Sequence, residues 1–289
     1  MKTYDPKRPH VSPLRVRNRE FAWGSRTYVM GIVNATPDSF SGDGRPDRAA
    51  ATAHAVALHR LSADIIDVGA ESTRPGHQPI DAATESARLI PVIRDVRAAL
   101  GDAAVISADT FKAEVFRAAF EAGADMLNSI WGMPDDLLDF AAACGVPVVI
   151  THNKAVAIYE LDVVDEVVAF LEAAAQRALR AGLPAERILL DPGIGFGKLP
   201  EHNLTLLHSL PRIASLGFPT LLGTSRKSTI GKLIGDKPPA ERVFGTAATV
   251  ALAVAAGVDV VRVHDVAEIR DVVDVADAVV RGWRPPGWT

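Results

Sequence analysis

The chain has 289 residues, is 48% hydrophobic and carries a formal net charge of -4, enough for one large domain or two small ones around a sizeable core. So mild an acidity argues against a dedicated nucleic-acid partner. The lone cysteine, Cys144, excludes an internal disulfide and a cysteine-clustered zinc site, and it suits a reducing, cytoplasmic setting.

The first twenty residues, MKTYDPKRPHVSPLRVRNRE, are polar and basic with no apolar stretch behind them, so they do not read as a signal peptide. Residues 1–27 read as an N-terminal extension, 28–282 as one barrel domain and 283–289 as a short tail. Strands are expected at 28–34 (YVMGIVN), 64–69, 104–109, 125–130, 146–151, 188–191, 219–224 and 259–264. Between them the Ala/Leu-rich stretches predict helices near 47–62, 81–100, 112–122, 135–143, 163–182, 203–215, 229–256 and 266–281, the seventh broken near Pro238-Pro239. Several helices run out at a glycine followed directly by a strand, as in EAGADML, AACGVPVVI and AAGVDVVRV, the glycine serving as a C-cap. The run ATVALAVAAGVDVVRV is the least polar, but Gly257 and Asp259 divide it into a helix end and a strand, so no membrane span is expected. The strands are apolar throughout instead of alternating, which indicates parallel strands covered on both faces. Eight such βα units predict an α/β fold, a (β/α)8 TIM barrel, with an open doubly wound sheet as the alternative.

A parallel barrel carries its active site at the C-terminal ends of its strands. The first run ends at Asn34, and the second leads into Glu71 and STRPG. The third ends at Asp109, the fourth carries Asn128, the fifth runs into His152, and the sixth ends at Asp191. The seventh leads into SRKS with Lys227 and Ser228, and the eighth ends in Arg262 and His264. Singly, each has an ordinary reading. Asp191-Pro-Gly193 is common turn chemistry, Asp109-Thr110 caps a helix as readily as it binds, and Asn128 is either a satisfied core amide or a ligand contact. Jointly they place carboxylates and an amide beside a cationic group of Arg74, Lys227, Arg262 and His264. The acids suit a donor-rich heterocycle edge such as a pterin's. The cations suit an anion such as pyrophosphate, and Asn34 can offer a carbonyl oxygen to a Mg2+ ion that shares it. The glycines of GIGFGK (193–198) lack a dinucleotide fingerprint, and SRKS lacks the upstream spacing of a phosphate-binding loop.

From about Tyr28 to Ala278 the chain resembles dihydropteroate synthase. The resemblance is carried by MGIVNATPDSFS (30–41), IIDVGAESTRPG (65–76), ISADTFK (106–112), LLDPGIGFGK (189–198), GTSRKS (223–228) and RVHDV (262–266). It implies condensation of 6-hydroxymethyl-7,8-dihydropterin pyrophosphate with p-aminobenzoate, with Mg2+ as cofactor, sulfonamides as inhibitors and a homodimer as the assembly. Carried over by motif, Asp109, Asn128, Asp191 and Lys227 hold the pterin, with Phe196 and Gly223 shaping its slot. Asn34 meets pyrophosphate through Mg2+, and Arg74, Arg262 and His264 meet it directly. The p-aminobenzoate lies near Phe40, Thr73, Arg74, Pro75, Lys227 and Ser228, while Arg226 holds its loop. The chain departs from the family pattern at Ser129 (usually Asp), Thr151 (usually Met), the Gly42-Asp43 order of the first loop, and Ala108. These departures keep open a pterin-binding paralogue with little synthase activity, or a folate-to-corrinoid methyltransferase.

Overall fold

The computed structural model of the chain describes residues 11–36, 47–71 and 79–288. A short antiparallel hairpin, β1 (Leu14–Val16) and β2 (Arg19–Phe21), leads into β3 (Tyr28–Asn34). Seven further strands follow, β4 (Ile65–Gly69), β5 (Val105–Asp109), β6 (Met126–Ser129), β7 (Val148–Thr151), β8 (Ile188–Asp191), β9 (Leu221–Leu222) and β10 (Val260–Val263). The 8-stranded sheet runs in chain order from β3 to β8, with β10 on the other side of β3 and β9 beyond it. A parallel bridge between Leu190 and Thr220, with Leu190 N donating to Pro219 O at 2.9 Å, brings β8 and β9 together. The strand order never reverses and the ends meet, so the structure is the barrel and not the open sheet.

The helices are α1 (Arg48–Arg60), α2 (Ala82–Leu100), α3 (Ala113–Glu121), α4 (Asp135–Cys144), α5 (Val163–Arg180), α6 (Pro200–His208), α7 (Leu210–Ala214), α8 (Ser228–Leu233), α9 (Val243–Ala255) and α10 (Val266–Val280). The expected helix over 203–215 is two helices. Pro200 opens the first, where a missing N–H costs nothing. Inside a continuous helix Pro211 would clash with the carbonyl four residues back, and the chain breaks at Ser209 instead.

The strands divide their side chains between two cores. Val29, Val33, Ile66, Val68, Ile106, Leu127, Val148 and Ile150 face outward and pack under the helices. Met30, Ile65, Val105, Met126, Val149, Leu189, Leu221 and Val260 face the barrel axis near its N-terminal end, where Leu14, Val16 and Phe21 of the hairpin cover them. Residues 11–27 thus include the floor of the barrel, a role their sequence did not announce.

Three aspartates hold that floor, each directly before a strand. Asp64 accepts from Val29 N (2.9 Å), Asp125 from Ile106 N (2.9 Å) and Asp259 from Thr220 N (2.8 Å). Each also takes a group from the N-terminal segment: Asp64 the Arg26 guanidinium (2.6 Å), Asp125 the Arg17 guanidinium, and Asp259 the Gly24 N–H (3.0 Å). A carboxylate can accept several bonds at once, and so can join a strand edge to a covering segment.

Candidate active site

Side chains alternate along a strand, so the inward residues that follow the apolar tier form a second layer nearer the C-terminal mouth. There the sequence changes character, with Asp67 on β4, Ser107 and Asp109 on β5, Asn128 on β6, Thr151 on β7, Asp191 on β8 and Arg262 on β10. The barrel is therefore apolar at its base and ionic at its mouth.

Arg262 organises one side of this layer. Its Nε donates to Asp67 Oδ2 and its Nη2 to Asp109 Oδ2, both at 2.6 Å. Asn128 Nδ2 donates to the same Asp67 oxygen at 3.1 Å. Gly223 lies alongside, where an added Cβ would stand 3.9 Å from Arg262 Cβ. Arg262 is thus clamped between two carboxylates and does not stand as a lone cation. Asp67, fully buried, escaped the sequence reading; the available signal was an acid in the middle of the apolar run IIDVG.

On the opposite side Asp191 Oδ1 accepts from Gly193 N at 2.8 Å, and Thr151 Oγ1 stands 3.5 Å from Asp191 Oδ2. Asp191 thus bonds within the turn that follows it and stands at the barrel mouth as well. Gly193 has φ +70°, and a Cβ there would fall 1.9 Å from the His152 carbonyl oxygen, so the backbone approach admits only glycine. A Cβ added at Gly197 would likewise fall 2.1 Å from the Lys154 carbonyl oxygen. Lys198 locks these two loops together: its Nζ lies 2.8 Å from His152 Nδ1 and donates to the carbonyls of His152 (3.2 Å), Gly193 (3.0 Å) and Phe196 (3.0 Å). The same loop presents Phe196, whose ring centroid is 3.7 Å from Lys227 Nζ, within cation–π range.

The GTSRKS segment divides its labour. Ser225 Oγ accepts from His264 N at 3.1 Å and lies 3.0 Å from His264 Nδ1, fixing that imidazole. Arg226, at φ +60°, turns away to pair with Asp265, and its carbonyl accepts from Arg242 Nη1 at 2.8 Å. It holds the loop. Lys227 stands directly before α8 with no side-chain bond to its first turn, and the first residue of that helix, Ser228, is exposed. Asn34 closes β3, opposite Gly69 in register. Phe40, Thr73, Arg74 and Pro75 lie outside the described residues. Of the second loop the structure shows Glu71, which accepts from Ile80 N at 3.1 Å and from Lys112, and so ties together the residues flanking 72–78.

Burial shapes the protonation of this mouth. It pushes the Asp109 carboxyl up to about 7 against the pull of Arg262, and it raises Asp191 as well. Lys227 falls to about 8, through burial first and then the charge of Arg262. Lys198 falls to about 7, also chiefly through burial. Acids drawn up and amines drawn down meet near neutrality, a pattern found at functional sites. His152 is held down at about 3, by burial and then by Lys198 and Lys154. Since its ordinary value is 6.5, the unfolded chain binds a proton there that the folded chain refuses, and stability falls as pH drops below about 6.5. His152→Gln is expected to remove about 2 kcal/mol of the stability loss between pH 7 and pH 5. Urea melts of both proteins at the two pH values measure this. Asp109 contributes the opposite slope in both, because its folded form takes up the proton, so the difference isolates His152.

The sequence profile of the family described as pterin binding enzyme matches residues 30–264. A dihydropteroate synthase of Synechocystis sp. is 44% identical over 278 residues, which cover 93% of this chain and 96% of that one. Among solved structures, the dihydropteroate synthase of Xanthomonas albilineans with 4-aminobenzoic acid superposes with a TM-score of 0.87 at 43% identity, covering 94% of this chain and 99% of that one. The Thermus thermophilus enzyme in complex with 6HMPPP gives 0.81 at 42% identity, covering 93% and 100%. A TIM barrel with this ionic mouth and this profile defines a pterin-binding enzyme. Given relatives so similar over nearly the whole length, the chain belongs to the dihydropteroate synthase family.

Proposed function

We propose that this protein condenses 6-hydroxymethyl-7,8-dihydropterin pyrophosphate with p-aminobenzoate, giving 7,8-dihydropteroate and pyrophosphate, in the cytoplasm. One observation carries this reading: Asp109, Asn128 and Asp191 line the same barrel mouth as the partly buried cations Lys227 and Arg262, in a chain over 40% identical to dihydropteroate synthases. Asp109, Asn128 and Asp191 take the donor edge of the pterin, and Lys227 and Phe196 close over the ring, with Gly223 leaving room for it. Arg262, His264 and Arg74 face the pyrophosphate. Thr73, Arg74, Pro75, Phe40 and Ser228 surround the p-aminobenzoate, where we also expect sulfonamides to compete. The Yersinia pestis relative, 34% identical, was solved with a sulfonamide drug.

The chemistry follows from where charge develops. The bond between the exocyclic methylene and the pyrophosphate oxygen breaks with its electrons on oxygen, and the cationic side chains stabilise the departing anion. The carbon left behind shares its positive charge with the ring, beside Asp109 and Asp191. The arylamine nitrogen then bonds to that carbon and releases a proton. A weak nucleophile gains from meeting a preformed electrophile, so no covalent enzyme intermediate is required.

Mg2+ is the cofactor proposed. Among the described residues no group of three or more His, Cys, Asp or Glu is arranged to hold a metal, and the donor at the end of β3 is the single amide oxygen of Asn34. That fits an ion that takes one or two protein oxygens and completes its shell from phosphates and water. Bound there with the substrate, it would absorb part of the pyrophosphate charge.

We include a homodimer in the proposal. Phe244 and Leu252 on α9, and Val275 and Val279 on α10, are exposed at helical spacing on adjacent helices. Sedimentation is expected to give a dimer for the native protein and a monomer for Phe244→Glu/Val279→Glu; a monomeric native protein would remove this part. Among the described residues no helix is long and apolar enough to cross a membrane. The decisive assay combines purified protein, Mg2+ and both substrates. Pyrophosphate release that depends on the amine is the expected result, and pterin binding without release would leave only a binding protein.

A further inference from the structure

Asp67 lies beneath the rim residues, not among them. It is the third residue of β4, level with Ser107 on β5, whereas Asp109 pairs with Gly69 nearer the mouth. It is fully buried, and its Oδ1 has no hydrogen-bond partner. Its other oxygen carries two bonds, from Arg262 Nε (2.6 Å) and Asn128 Nδ2 (3.1 Å). A carboxylate paired with a guanidinium only accepts. The Asn128 amide is therefore turned with its NH2 toward Asp67, and its carbonyl oxygen is left for a partner that donates. The same carboxylate receives Arg262 Nε while Arg262 Nη2 donates to Asp109 at 2.6 Å, so two of the mouth's acceptors, Asn128 and Asp109, are oriented through Asp67.

We propose that Asp67 is a positioning residue that sets Asn128 as an acceptor and draws Arg262 against Asp109, so that the pocket selects a heterocycle edge presenting N–H donors. The inference deepens the pterin reading of this pocket and depends on it. A buried group that fixes the orientation of ligand-contacting side chains commonly costs one to two orders of magnitude when lost, although it touches no ligand. Such a loss falls on the substrate whose contacts were oriented and spares the other.

The test compares the native protein with Asp67→Asn, which keeps the shape but loses the charge. Steady-state kinetics with dihydropterin pyrophosphate and p-aminobenzoate and calorimetric titration with the pterin substrate are run on both. The expected result is a fall of about 30-fold in kcat/KM and in affinity for the pterin substrate, with KM for p-aminobenzoate changed less than twofold. Pterin parameters within threefold of native overturn the proposal, and so does an equal loss for both substrates. Should Asp67→Asn not fold, a crystal structure of the native protein with the pterin substrate decides. An N–H of the heterocycle opposite Asn128 Oδ1, with Nδ2 still on Asp67, supports the proposal; a ligand acceptor bonded to Asn128 Nδ2 overturns it. If the native protein binds no pterin, the functional reading fails first, and the titration of the native protein shows this separately.

Discussion

Asp191→Asn is expected to weaken binding of the pterin substrate by two to three orders of magnitude while the protein remains folded. The side chain is nearly buried, it already receives Gly193 N–H at 2.8 Å, and Lys227, Lys198 and Arg262 all bear on its charge. Hydrogen bonds to an ionised group contribute about 1.5–3 kcal/mol each, and a heterocycle edge offering two donors would lose both charge-assisted bonds at once. The loss is larger than for an exposed carboxylate because the surrounding dielectric is low. An amide at this position must also turn its oxygen to Gly193 N–H or forfeit that bond, which directs its NH2 toward the ligand's own donors. Calorimetric titration measures the effect directly, and an affinity within threefold of native would remove Asp191 from the pterin site.

The second large effect concerns stability. Arg262→Met leaves Asp67 and Asp109 buried without the guanidinium that joins them. Removing one partner of a buried ion pair costs about 3–5 kcal/mol, and in a chain of this size that lowers the melting temperature by roughly 10 °C. The sign with pH is definite. Burial already raises Asp109 from 3.8 to about 7, with Arg262 as the main opposing influence. Without that cation the carboxyl rises further, and the folded variant holds its proton to higher pH. The destabilisation relative to the native protein is therefore expected to be larger at pH 8 than at pH 5. Scanning calorimetry at the two pH values is the check. A penalty independent of pH would mean that the arginine acts through packing alone.

The parts legible in the sequence were those where local and global demands coincide. The strand at 28–34 was readable to the residue because YVMGIVN is apolar on both faces and ends in Asn34. The strand expected at 219–224 shrinks to Leu221–Leu222 because Pro219 offers no N–H and the closing contact with β8 is a single bridge. The hairpin was invisible because three residues, LRV and REF, are too few to show a period. Asp109, Asn128, Asp191, Lys227 and Arg262 stood out because a parallel barrel gathers its strand ends, so position in the chain predicted position in space. Asp67, Lys198 and Ser225 act through other side chains or carbonyls. Each has a side-chain partner remote in sequence, Arg262 lying 195 residues beyond Asp67, His152 46 before Lys198 and His264 39 beyond Ser225, and no local pattern reveals such a pairing. The loops bearing Phe40, Thr73, Arg74 and Pro75 fall outside the described residues, and their assignment stays with the motifs.

The stitching at the barrel base bears on how the polypeptide is made. Gly24 donates to Asp259, and Thr27 to Asp277 at 2.6 Å, while Tyr28 to Gly31 of β3 pair with β10. Residues 24–27 therefore complete these bonds only after residues 259–277 have been made. Until then the edge of the nascent β3 waits unpaired, and ring closure across some 250 residues is the slow entropic step. Truncations that end before β10 should thus strand an incomplete sheet with a reactive edge, instead of yielding a smaller working enzyme.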